Sequence, residues 1–381
     1  MPTPADALAL ITHATEEVLT RELLADYLAR GIPLRHYIGL EISGQIHLGT
    51  GLMCMGKVAD LQRAGVATSV FLADWHSWIN DKLGGDRKVI AEVAVGYFKL
   101  GLEASLRCCG GDPAQVKWVL GSELYEGNTA YWETVVDVSK NTPLNRVKRS
   151  ITILGRGEGD GVDFAKMLYP VMQVADIFAQ GITLAHAGMD QRKAHVIAID
   201  VAPSLVLHPL RGPAGENLKP VAIHHPLILG LGKPPKRNEG EDVPAWLARV
   251  KPELKMSKSK PDNAVFVHDE PDEIVRKLNK AYCLEGDTTF NPVLDWAEKV
   301  LFSRAGFALE IARKPEHGGN VRYASYAELE AAFTAKALHP GDLKRAVAEA
   351  LIAILEPARA AFAENPGRAL LARMRDLGVT R

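Results

Sequence analysis

At 381 residues the chain is long for one domain and can bury a sizeable core, so two domains are expected. Its 47% hydrophobic and 24% charged residues are those of an ordinary globular protein and exclude long disordered tracts. Lys and Arg number 45 against 46 Asp and Glu, a formal charge of −1, so any nucleic-acid contact must rest on local basic patches.

Cys54, Cys108, Cys109 and Cys283 lack metal-ligand spacing, and the adjacent Cys108 and Cys109 are poorly placed for an ordinary disulfide. That reads as a reduced cytosol and no metal site. No positively charged lead precedes an apolar stretch at the N-terminus, and no apolar run approaches the roughly 18 residues of a membrane span. A cytoplasmic protein without a membrane partner is expected.

In chain order, residues 4–30 read as helical, with Leu19, Leu23, Leu24 and Tyr27 at near-helical spacing and Gly31 as a stop. Residues 36–41 read as a strand, 48–64 as a helix closed by Gly65, and 69–73 as a second strand. Repetition of this strand–helix–strand unit around 116–120 and 182–187 predicts a parallel α/β sheet with helices on both faces and ligands at its carboxyl edge. Between about 125 and 160 the pattern turns helical and basic, as an insertion between two halves of the sheet. Residues 230–254 shift to Pro, Gly and charge and read as an exposed loop. Beyond Asp269 charged and apolar residues alternate at helical spacing without clear strands, which predicts an all-helical second domain. The expected division is 1–260 and 261–381.

The segment Lys255-Met256-Ser257-Lys258-Ser259 offers two flexible ammonium groups that can follow a moving phosphate, with hydroxyls beside them. Alone it is matched by a solvated lysine-rich loop. Upstream, Gly44 permits a tight turn from strand to helix, Gly49 lets a flat ring approach the backbone, and His47 can donate toward a phosphate near the helix N-terminus. A histidine there is more often a cap, but the two segments together specify an ATP site. Tyr169, Gln173 and Asp176 stand at i, i+4 and i+7, which puts phenol, amide and carboxylate on one helical face, with Pro170 near the helix start. Amid Leu168, Met172, Val174 and Ile177 this stripe reads as a pocket wall rather than a solvated face. Asp190 and Gln191 either reach a ligand's ammonium or ribose or cap the next helix, and Arg192 and Lys193 can face a phosphate backbone.

Taken with Tyr37-Ile38-Gly39-Leu40-Glu41, Leu72-Ala73-Asp74-Trp75-His76 and Leu338-His339-Pro340-Gly341-Asp342-Leu343-Lys344, these strings make nearly the whole chain resemble the class I aminoacyl-tRNA synthetases, most closely the archaeal and eukaryotic tyrosyl type. The resemblance implies a Rossmann-like catalytic domain with a helical insertion and a helical anticodon-binding domain. Tyr37 and Asp176 would meet a phenol hydroxyl, and Tyr169, Gln173 and Gln191 an amino group. Gly44, His47, Gly49, Asp190, Met256, Ser257 and Lys258 would bind ATP, with His47, Lys255 and Lys258 acting in catalysis. ATP is then a substrate accompanied by Mg2+, with no tightly bound cofactor. Tyrosine and its tRNA are partners, and the insertion helices pair two subunits in a homodimer. Arg146, Lys148, Arg149, Arg192 and Lys193 would face the tRNA acceptor end, and His317, His339 and Asp342 the anticodon.

The chain departs from that pattern at Ile42, where proline is usual, at Thr50, where a second histidine is usual, at His317, where an aromatic is expected, and in the length of 232–254. Rival readings are a tryptophanyl-tRNA synthetase, a synthetase-like tRNA-binding protein without catalysis, and a nucleotidylyltransferase. Asp176 and Tyr37 favour a phenol over an indole, and His47, Lys255 and Lys258 favour catalysis.

Overall fold

The computed structural model describes residues 2–155, 163–257 and 260–377. Among the described residues six strands form the central sheet: β1 (Glu17–Leu19), β2 (His36–Leu40), β3 (Thr68–Leu72), β4 (Val116–Leu120), β5 (Leu184–Gly188) and β6 (Val221–His225). Their spatial order is β1-β6-β5-β2-β3-β4, parallel throughout except at the edge, where β1 runs antiparallel to β6. β3, β5 and β6 are buried at every position, as parallel strands covered on both faces must be. From β2 the chain winds outward through β3 and β4, then returns to β5 on the other side of β2. That reversal opens a crevice at the carboxyl ends of β2 and β5, where ligands of such sheets bind.

Four local expectations are corrected. Residues 4–30 are two helices, Pro4–Thr12 and Arg21–Ala29, interrupted by β1, because the open edge of β6 supplies hydrogen-bond partners that local propensity does not register. Pro170 lies inside the helix Phe164–Ala179 rather than near its start, since the Asp163 carboxylate already caps that helix by accepting from the Lys166 amide at 3.0 Å. The segment read as an exposed loop ends in a helix, Val243–Leu254. Asp242 caps it and Pro244 sits in its first turn, where a missing N–H costs nothing. It buries Trp246 and Val250 against Leu229 and Phe290. Finally, the C-terminal part carries a two-stranded antiparallel ribbon, β7 (Leu309–Ile311) and β8 (Val321–Tyr323), too short to show a period.

The remainder of that part is helical, with Pro271–Lys280, Tyr326–Thr334 and Pro340–Ile354 among its elements. Its buried residues Val265, Val267, Trp296 and Phe362 share one apolar core with Ile38, Ile46, Leu48 and Val70 of the sheet region. Packing therefore runs without a break across 260/261. Among the described residues no helix is long and apolar enough to cross a membrane.

Candidate active site

A cleft of about 590 Å3 opens at the β2/β5 switch, a volume that suits an amino acid and a nucleotide together. Into it the fold brings Tyr37, His47, Gly49, Tyr169, Gln173, Asp176, Asp190, Gln191, Lys255, Met256 and Ser257, all expected from sequence.

The floor is made by β2 and the helix Phe164–Ala179. Asp176 is 1% exposed, and burial pushes its carboxyl up to about 8, against the Tyr125 hydroxyl that donates to Oδ1 at 2.9 Å. At neutral pH the group is largely the neutral acid, able both to donate and to accept. His76 Nε2 stands 3.7 Å from the other oxygen. Burial pushes that imidazole down to about 3, so the contact is between neutral groups. Tyr37 is buried too, and its hydroxyl is pushed well above its ordinary range by burial and then by Asp176. One wall is Tyr169, whose hydroxyl donates to Glu41 Oε1 at 3.0 Å and whose ring meets His76 edge-on at 4.5 Å. Gln173 Nε2 donates to Gln191 Oε1 at 3.3 Å, and Gln191 Nε2 to the Ile153 carbonyl at 3.0 Å. The Gln173 Oε1 atom is buried without a partner, an acceptor held ready for a donor.

Toward the rim, Gly44 adopts φ 139°, which a side chain would resist, as the chain leaves β2 and turns into the helix start. His47 Nδ1 accepts from the amides of Gly49 at 3.1 Å and Thr50 at 3.4 Å, which caps that turn and puts the proton of the neutral ring on Nε2. A Cβ on Gly49 would meet His47 Cε1 at 3.0 Å, so the bare glycine leaves close room for the His47 ring. Lys255 pairs with Leu229 in an antiparallel bridge, and its Nζ meets Asp190 Oδ2 at 2.8 Å. Neither Asp190 nor Gln191 caps a helix with its side chain. The capping alternative is thereby set aside, and Asp190 and Lys255 partner each other. Among the described residues no cluster of His, Cys, Asp and Glu could hold a metal ion.

Beneath the cleft a row of imidazoles crosses the sheet. His36 Nε2 lies 3.2 Å from His186 Nδ1, His186 Nε2 lies 2.9 Å from His225 Nδ1, and His225 Nε2 lies 3.7 Å from the Cys54 sulfur. The Cys54 thiol donates to the Gly49 carbonyl at 3.3 Å, so the row consistently carries its protons on Nε2 and ends at the His47 turn. Glu41, His76, Tyr125 and this row were not singled out from sequence as site residues. Glu41 and His76 sit in strings that carry the resemblance, whereas Tyr125 and the histidines are met only through tertiary contact.

The basic candidates lie away from the cleft. Arg192 donates to both Glu17 oxygens, at 2.9 and 2.8 Å, and holds that carboxyl below its usual range. Lys193 donates to the Arg149 carbonyl at 2.8 Å, Arg146 pairs with Asp200, and Lys148 and Arg149 are exposed. At the start of the helix Pro340–Ile354, His339 Nδ1 accepts from the Gly341 amide at 3.0 Å and Asp342 stands 3.4 Å from Arg345. Lys258, Ser259 and the His317 side chain lie outside the described residues.

Comparison with known proteins agrees with this geometry. The model of the family described as tRNA synthetases class I (W and Y) matches residues 30–356. A tyrosine–tRNA ligase of Pyrococcus horikoshii is 56% identical over 373 residues, 98% of each chain. A crystal structure of tyrosyl-tRNA synthetase complexed with L-tyrosine from that organism superposes with a TM-score of 0.94 at 54% identity, covering 99% of this chain and 100% of that one. A crystal structure of tyrosyl-tRNA synthetase from Aeropyrum pernix gives 0.81 at 40% identity, covering 98% of this chain and 100% of that one. With its parallel sheet, its cleft at the β2/β5 switch and likeness along its whole length, the chain belongs to the W and Y family of class I tRNA synthetases, on the archaeal-type tyrosyl branch.

Proposed function

We propose that the cleft selects tyrosine by its hydroxyl, joins it to ATP as tyrosyl-adenylate, and passes the tyrosyl group to the 3′ end of its tRNA. The observation that carries this reading is the buried Asp176 carboxyl at the cleft floor, beside the Tyr37 hydroxyl. A phenol adds a partner for that pair beyond the Tyr125 hydroxyl, whereas phenylalanine would cover the same polar groups without offering one. The orphaned Gln173 Oε1 supports a substrate ammonium above it, with Tyr169 and Gln191 alongside.

The tyrosine carboxylate attacks the α-phosphorus and pyrophosphate leaves, so no protein nucleophile is needed and the protein contributes positioning and charge. His47 Nε2–H and the Gly44 and Gly49 backbone serve the phosphates, and Mg2+ arrives with the triphosphate. Lys255 exchanges Asp190 for a phosphate oxygen, which releases Asp190 for the ribose. Such an exchange places the cation where charge develops rather than where substrate first rests. Met256, Ser257 and Lys258 complete the loop. A ribose hydroxyl of the tRNA then attacks the tyrosyl carbonyl, forming the ester as the acyl–phosphate bond breaks and AMP leaves.

Arg146, Lys148, Arg149, Arg192 and Lys193 form the face for the acceptor end, and His317, His339 and Asp342 that for the anticodon. Residues 261–381 act as the anticodon-binding domain beside the catalytic 1–260. A second copy of the chain covers the apolar patch of Trp132, Val136, Val206 and Leu207. Asp137 supports this by accepting from the Val206 amide at 2.8 Å and the Leu207 amide at 3.0 Å, which holds the patch on one face. We place the enzyme in the cytoplasm, in keeping with four free thiols.

Exchange of labelled pyrophosphate into ATP, run in parallel with tyrosine, tryptophan and phenylalanine, tests the reading. Tyrosine should support exchange far better than either of the other two. Support from tryptophan alone would overturn the choice of amino acid, and support from none would leave a tRNA-binding protein without catalysis.

A further inference from the structure

We infer that Asp295, Trp296 and Lys299, in the helical C-terminal part, are positioning residues for the ATP loop and act through the extended segment 227–231. In extended backbone successive carbonyls point to opposite edges. On one edge the segment holds the loop: the Ile228 carbonyl accepts from the Met256 amide at 2.8 Å and the Gly230 amide donates to the Leu254 carbonyl at 2.7 Å. These two bonds flank Lys255. On the other edge it is held by a single helical stretch. The Leu229 amide donates to Asp295 Oδ2 at 2.9 Å, Trp296 Nε1 donates to the Leu229 carbonyl at 2.7 Å, and Lys299 Nζ donates to the Leu227 carbonyl at 3.2 Å. The second Asp295 oxygen holds Lys299 at 2.7 Å, so the two charged side chains are tied to each other, and Trp296 joins them through Leu229.

The segment faces the reaction as well, since Leu227, Ile228 and Met256 all line the cleft. Trp296 is fully buried, and the helix Val243–Leu254 that leads into Lys255 packs Trp246 and Val250 on Leu229 itself. Leu229 therefore joins two parts of the protein through its amide, its carbonyl and its side chain. A shift of the helix Pro292–Trp296 moves the start of the ATP loop, although none of the three residues touches ATP. The inference rests on the reading of the cleft as an ATP site.

Asp295→Ala removes the acceptor without touching the buried indole, and Trp296→Phe removes the N–H together with part of the ring system while keeping an aromatic ring, so two unlike variants probe the same strand. In tyrosine-dependent exchange by the full chain, each should raise KM for ATP about fivefold to tenfold, the size of one lost buried hydrogen bond, and leave KM for tyrosine unchanged. Phe333→Leu, buried in the same helical part, should lower the melting temperature and leave both KM values unchanged. Equilibrium binding of ATP without any amino acid should show the same loss, so this test stands whichever amino acid is activated. Unchanged ATP affinity in both variants would overturn the inference, and so would an equal rise in Phe333→Leu.

Discussion

At the floor of the cleft Asp176 is 1% exposed and already bonded to Tyr125, whereas at the rim Lys255 and Asp190 are 39% and 34% exposed and bonded to each other. Desolvation at the floor is complete before a ligand arrives. On the proposed reading a substrate there must match polar groups that water no longer reaches, and the floor is a selector. The rim pair is screened by solvent, holds its partners weakly and can trade them, and on the same proposed reading it responds to the triphosphate. One cleft thus combines rigid recognition with movable charge, and each can be probed alone.

The sharpest division should come from Asp176→Ala. Tyrosine kcat/KM should fall roughly a hundredfold, as for a lost buried partner, while the much weaker use of phenylalanine hardly changes. An equal fall with both amino acids, measured by pyrophosphate exchange, would show that the floor is scaffold rather than selector. Lys255→Ala should act on the other side of the division. We expect kcat for exchange to drop about tenfold while tyrosine binding, followed by intrinsic fluorescence, is unaltered. Weaker tyrosine binding would mean that rim and floor are not separable.

The smallest effect concerns pH. Burial raises the Asp176 carboxyl to about 8, above its unfolded value, so between about 4 and 8 the folded state keeps a proton that the unfolded chain has lost. This contribution is fully present below pH 4 and fades as pH rises through 8. Asp176→Asn cannot lose that proton, so its denaturation midpoint should rise relative to the parent between pH 5 and 8. Parallel curves would place the titration elsewhere.

Much of this architecture could be read from residues alone because it is local. Tyr169, Gln173 and Asp176 share one helix, and a fixed rotation per residue puts them on one face whatever surrounds them. β2, β3, β4 and β5 announced themselves as short apolar runs between turn signals. β6 was missed because its five residues include His224 and His225, which local propensity disfavours and which only burial between neighbours accommodates. The helix Val243–Leu254 was hidden by Pro244 and Pro252, read as breakers although one lies in its first turn and the other near its end. Tyr125 reaches Asp176 from an element 51 positions away, and no pattern in either segment points to the other. The ion pair of Lys255 with Asp190, 65 positions apart, was equally invisible, although both members had been singled out.

β1 has a consequence for how the chain comes into being. Glu17 bonds His224 across 207 positions, and every residue of β1 takes its partner from β6. At the usual pace of about 5 to 20 residues per second, a ribosome needs roughly 10 to 40 s to deliver that partner. Although β1 precedes the other five strands of this sheet in the chain, it is therefore the last of them to dock. Until then the nascent chain carries three unpaired residues on one side, and afterwards an exposed β6 edge if they fail to arrive, the kind of open border that invites association with a neighbour's strand.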